Sequence, residues 1–195
     1  MDRKLSFNTY KAFDITIFTL LTIFFEWFSM KGLSIFNGMY YLSLFLVLSQ
    51  IVMLRWKWYA IIPIIAAGVT RAIVANGGID FSYIVMYGGG NLFSLISILW
   101  IYQFKENITK GYYLILFVLT GFFGYCLGQT ILGTILFNKN FIDLLISIAS
   151  VESLNAIISL IVIVIASRQK GLLEDQKQYV LRTQQEEQNT REVEE

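Results

Sequence analysis

Up to Ser167 the chain is a succession of apolar runs, most near 20 residues long, separated by short polar or basic breaks. Coiled as a helix, a run of that length matches the roughly 30 Å hydrocarbon layer of a bilayer. Inside hydrocarbon every backbone N–H and C=O must be satisfied by the chain itself, which leaves only helices and closed barrels as spanning structures. These runs lack the period-two alternation of barrel strands, so helices are expected. Their flanks place them at residues 12–30, 37–54, 58–75, 81–103, 112–137 and 141–166. The reading is an all-α membrane protein, with six transmembrane helices in a compact bundle over residues 12–166. A short cytoplasmic N-terminus (1–11) precedes the bundle and a cytoplasmic tail (167–195) follows it.

Composition narrows the function classes. The chain is 56% hydrophobic and 16% aromatic, too apolar throughout for a soluble domain. A formal charge of +1 offers no general attraction to polyanions, so nucleic acid is not an expected partner. Histidine is absent and Cys126 is the one cysteine, which removes the commonest metal ligand, the commonest general base and any intrachain disulfide. No metal and no cofactor is expected. No nucleophile elbow, zinc-protease motif or phosphate-cradling loop occurs, so an enzyme is not expected either. The first run is longer than a signal-peptide core and no small-residue cleavage site follows it, so it reads as a retained span.

Orientation follows from the basic residues. Arg3, Lys4, Lys11, Arg55, Lys57, Lys105, Lys110, Arg168 and Lys170 fall on the side of the termini, against Lys31, Arg71 and Lys139 on the other. Lys and Arg concentrate on the cytoplasmic side, so both termini are expected there. The connections near 31–38, 76–80 and 138–140 then face outward.

Polar groups within the spans carry the functional suspicion, because ionisable side chains in a bilayer are costly and normally face a bundle interior or a wet cavity. Glu152 shares a helix face with Asn155 and Ser159 and is the strongest suspect, with a protonated carboxyl bonded to Asn155 as the bland alternative. Arg71 can snorkel, pair with Glu26, Asp80 or Asp143, or hold an anionic ligand group. Glu26 lies beside Trp27, an aromatic-belt position, and either reaches interfacial water or lines an outward cavity. Pro63 is expected to kink or locally open the third span and leave a backbone carbonyl free. Gly88-Gly89-Gly90 permits a local break or a close helix crossing, and Gly121, Gly124 and Gly128 form a smooth packing stripe. Arg55-Trp56-Lys57-Trp58 reads first as an interfacial anchor. Residues 168–195 begin with a pattern that suits an amphipathic surface helix and end in a polar run expected to be disordered.

This layout, with inner termini, the basic-aromatic turn at 55–58, and a glycine-rich fourth span followed by a glycine-rich fifth, resembles the substrate-binding S component of energy-coupling factor (ECF) transporters. The resemblance covers residues 12–166 and is one of texture without a unique motif. It implies capture of a small organic micronutrient, vitamin-like, in a pocket near the outer face. It also implies docking on a shared membrane T component with two ATPase subunits in a bacterial cell membrane. By position, the pocket residues it implies are Glu26, Trp27, Arg71, Asn76, Asp80, Tyr83, Gln129, Asp143 and Glu152. Many members carry an Ala-x-x-x-Ala stripe on the first span, whereas this chain has Ala12, Thr16, Thr19 and Thr22 among bulky residues. Two other readings share the size and apolar character: an MreD-like membrane scaffold in cell-shape or cell-wall machinery, and a self-contained secondary transporter with Glu152 as proton relay.

Overall fold

Apolar runs without strand alternation fold here as helices, the form that satisfies their backbone internally. A computed structural model describes residues 7–31, 41–104, 108, 111–169, 172, 173, 175 and 176, and every regular element among them is helical. Five helical stretches are long and apolar enough to cross a membrane: Phe7–Lys31, Phe45–Asn76, Phe81–Gln103, Gly111–Phe137 and Phe141–Ser167.

The second stretch is not one rod. Helix α2 (Phe45–Trp56) stops where Lys57 takes φ 54°, and a 3-10 turn, Lys57–Ala60, leads into α3 (Ile61–Asn76). An unbroken helix would hold residues 41 and 71 about 45 Å apart at about 1.5 Å per residue. Instead the Arg71 guanidinium lies 4.3 Å from the centroid of the Tyr41 ring, so the chain reverses at the basic-aromatic corner. Helix α2 rises only about 18 Å along its length, less than a hydrocarbon layer. It begins at Phe45, later than the expected start at 37, and residues 37–40 lie outside the described set. Pro63 falls in the first turn of α3, directly after the 3-10 turn, a position where proline's missing N–H costs little.

The corner is also less of a lipid anchor than its composition suggests. Arg55 and Trp56 are buried against α1 (Phe7–Lys31), and Trp58 alone of the two tryptophans keeps its ring exposed. Asp14 of α1 accepts from Arg55 Nε at 2.8 Å and Nη2 at 3.0 Å, and from Trp56 Nε1 at 2.5 Å. Arg55 Nη1 donates to the Leu172 carbonyl at 3.0 Å, and Lys57 pairs with Asp175 at 2.8 Å, which ties the described part of the tail to this end of the bundle. The expected surface helix and disordered run otherwise fall outside the described residues.

The fourth stretch, α4 (Phe81–Gln103), changes pitch along its length. A π turn at Val85–Gly89 is followed by a 3-10 segment at Leu92–Ser97 and then by regular helix. Of the two uses expected for the glycine triplet, the close crossing occurs, while the helix changes pitch there without breaking. A methyl group at Gly68 of α3 would run into the backbone of Gly88, and one at Gly90 would lie 2.7 Å from Gln129 Cα. Helix α5 (Gly111–Phe137) returns the contact, with Gly124 against the Phe93 backbone and Gly128 against the Gly90 carbonyl. Close backbone approach of this kind gives packing between helices that have no hydrophobic drive to associate in lipid. Helix α6 (Phe141–Ser167), capped by the Asn140 side chain on Ile142 N at 2.9 Å, packs on α5 and α2. Helix α1 lies against α3 and α2, and its Phe13, Leu20, Phe24 and Trp27 side chains face outward.

Candidate functional site

The reversal at Trp56–Lys57 sends α3 back along α2 and brings Arg71 level with the residues that precede α2. There the guanidinium is held between two rings, 4.3 Å from the Tyr41 centroid and 4.6 Å from that of Tyr87. Stacking on aromatic faces suits a planar, weakly hydrated cation and lowers the cost of taking it out of water. Its charge partner is Glu152 of α6, fully buried, whose Oε1 meets Arg71 Nη1. The two atoms are each other's ion-pair partners and have no further hydrogen-bond partner among the described residues.

Behind this pair a polar chain runs across the bundle. Asn155, one turn beyond Glu152, donates from Nδ2 to Glu152 Oε2 at 2.5 Å, and its Oδ1 accepts from Ser43 N at 2.7 Å. Tyr125 of α5 donates to the same Glu152 oxygen at 3.3 Å. Glu26 of α1, also buried, accepts from the hydroxyls of Tyr41 and Ser43. Two carboxyl groups and one guanidinium from three helices are thus linked through Tyr41, Ser43 and Asn155. Burying such groups costs several kcal/mol per charge, roughly, before pairing returns any of it. Such an arrangement is weak as a stability device and stronger as a recognition one.

The pair does not end in solid packing. A cavity of about 300 Å3 adjoins it, walled by Tyr83, Met86, Tyr87 and Phe137 and floored by Arg71, Gln129 and Glu152. Gln129 is fully buried and donates from Nε2 to Asn91 Oδ1 at 2.7 Å, while its Oε1 has no partner. Lys139 and Ser147, both exposed, also line the cavity. A groove of about 340 Å3 between α1 and the start of α3, near Lys11 and Tyr59, is slightly larger. Its apolar walls lie on an outward face, where lipid is the natural filling, so the smaller polar cavity is the better candidate.

Of the residues singled out from the sequence, Arg71, Tyr83, Gln129 and Glu152 line this cavity, while Glu26 lies off it, bonded to Tyr41, whose ring faces Arg71. Trp27, Asn76, Asp80 and Asp143 stand elsewhere, all exposed and off the cavity wall. Asp80 has a local role, accepting from Ser82 N at 2.9 Å to start α4, and Arg71 pairs with neither it nor Asp143. Sequence reasoning passed over Tyr41, Ser43 and Phe137 as site residues. It used Lys139 only to orient the chain. Tyr87 was signalled by its four-residue spacing from Tyr83, which brings the two rings into a stack at 6.1 Å. No protein-family profile matches the chain, and neither a curated protein nor a solved structure does.

Proposed function

We propose that the chain is a membrane-embedded binding subunit that captures a small organic solute, vitamin-like in size, in the Arg71–Glu152 cavity. The observation that carries this reading is a buried ion pair that lines a cavity together with Gln129, whose Oε1 has no partner among the described residues. Pockets of a few hundred Å3 with apolar walls and a few convergent polar groups are the usual form of a small-molecule site. The reversal at Lys57 supports six crossings, with α2 and α3 as separate passes. On this reading the basic residues favour the cytoplasm for both termini and for the Asp14–Arg55 corner, which leaves the cavity toward the outside, and the resemblance implies a bacterial cell membrane. Lacking a nucleotide-binding loop of its own, such a subunit would deliver its solute for ATP-driven uptake by partners, as the resemblance to ECF S components implies: a membrane T component and two ATPases.

Native mass spectrometry of the detergent-purified chain tests the binding. The expected result is a retained small molecule that is lost from Glu152→Gln and Arg71→Ala while both variants stay folded. Retention unchanged in both variants would remove this cavity as the site, and no retained molecule would favour the scaffold reading. Uptake into vesicles by the chain alone would replace the ATPase partnership with proton-coupled transport.

A further inference from the structure

The apolar groove between α1 and the start of α3 has a cation at one end. Its surface is almost wholly apolar, and on the α1 side the lining runs from Lys11 through Ile15 and Thr19 to Leu20, with Tyr59 and Ile62 opposite. Thr19 adds little polarity, because its hydroxyl donates to the Ile15 carbonyl at 2.7 Å. From Lys11 to Leu20 the helix rises about 14 Å, close to half of a hydrocarbon layer about 30 Å thick. The groove therefore has the length of one leaflet. Helix α1, with 25 residues, outruns that layer by roughly 7 Å, so Lys11 in its second turn can hold its amine at headgroup depth. The exposed rings of Trp58 and Tyr59 at the adjoining turn suit the same depth.

Three cations stand at this corner of the bundle, and their charges are used differently. Arg55 is paired with Asp14 at 2.8 Å and Lys57 with Asp175 at 2.8 Å. Lys11 has no carboxylate within ion-pair distance among the described residues, and Asp14, less than one turn along, has both oxygens engaged by Arg55 and Trp56. Its Nζ instead donates to Tyr59 Oη at 3.1 Å and lies 4.3 Å from the centroid of that ring. This contact positions the ammonium at the end of the groove without neutralising it. Tyr59 only accepts there, so its own O–H is left to donate.

We propose that the groove is a site for a phospholipid with a net-negative headgroup. One acyl chain lies along α1 from Ile15 to Leu20, and the phosphate meets Lys11 Nζ and Tyr59 Oη. A zwitterionic phospholipid offers the same chain and phosphate but brings a cation of its own, which competes with Lys11, so the unpaired charge selects the anionic lipid. The site is separate from the Arg71–Glu152 cavity and does not depend on what fills it.

Native mass spectrometry reads the preference when the full chain, delipidated in detergent, is given equal amounts of phosphatidylglycerol and phosphatidylcholine with the same acyl chains. The expected result is a retained phosphatidylglycerol, favoured about fivefold over phosphatidylcholine, a factor that corresponds to about 1 kcal/mol. Lys11→Ala should bring the two lipids to near parity and Lys11→Arg should keep the preference. Thr16→Trp, which puts a large ring into the groove from an exposed position, should remove the retained lipid. Lys57→Ala takes the same charge from the same corner, but from a cation already paired, and should leave the preference in place. An equal loss in Lys57→Ala would overturn the site in favour of a diffuse attraction to the corner. Displacement of the lipid by glycerol phosphate would reduce it to a site for a bare anion, and a dimer that Thr16→Trp dissolves would put a second copy in the groove. No preference in the parent chain would sink the proposal outright.

Discussion

Two buried arginines at opposite ends of the α2–α3 hairpin have been treated differently by the fold. Arg55 is saturated: Asp14 takes two of its N–H groups, Leu172 and Tyr10 take others at 3.0 and 3.2 Å, and Trp56 helps hold the carboxylate. Arg71 has a more deeply buried carboxylate than Arg55, but its flanks are rings and open space lies beside it. A fully satisfied polar knot rigidifies the structure around it, whereas a half-satisfied one invites a further partner. On the proposed reading, burial alone does not separate a structural ion pair from one that serves binding. What differs between the two pairs is the open space beside the second.

Substitutions can sharpen or break that contrast. The largest loss of stability is expected from Asp14→Ala, which strands Arg55 at about 3–5 kcal/mol and shows as a lowered unfolding midpoint in detergent without any change specific to solute retention. Gly90→Ala comes next, at about 1–3 kcal/mol by the same measurement, because the new methyl meets the Gln129 backbone. Glu152→Gln should cost less, about 1–2 kcal/mol, since the shape is kept and the Asn155 and Tyr125 contacts have an acceptor to reuse. If Glu152→Gln destabilises as much as Asp14→Ala, the two arginines are alike and the distinction fails. Trp58→Ala, at an exposed ring, should stay within about 0.5 kcal/mol in detergent, and a larger loss would mean that the corner is held by more than Asp14.

The sequence carried the helices well and their pairing poorly. Run lengths located five of the apolar stretches to within a few residues, because the need to satisfy the backbone leaves a greasy segment little choice. The same argument overstated α2, whose residues before Phe45 are not helical where they are described, since hydropathy does not distinguish coiled from extended apolar chain. Arg55 and Trp56 looked like an anchor because a cation beside a tryptophan suits headgroups. Asp14, at matching depth on a different helix, was the available cue to the ion pair. For the site, Glu152 with Asn155 was legible from local periodicity, and Gln129 from its place beside the glycine stripe. Tyr41 and Ser43 were not, because they matter only through contacts with Arg71 and Glu26, and Glu26 is distant in the chain from Arg71. Exposed Asn76, Asp80 and Asp143 were included for standing at the right end of the molecule, a criterion that ignores which way a helix face turns.

The wide turn at Val85–Gly89 has a consequence for how this chain can vary. A π turn holds one more residue than an α turn, so it behaves as an insertion whose phase shift has been kept. Tyr87 within it reaches Arg71, while Asn91 just after it reaches Gln129. Deleting one glycine of the triplet would restore ordinary pitch and rotate one half of α4 against the other by about 100°. One of those two contacts would then be lost although neither residue had been altered. Length, at this point of the chain, matters as much as spelling.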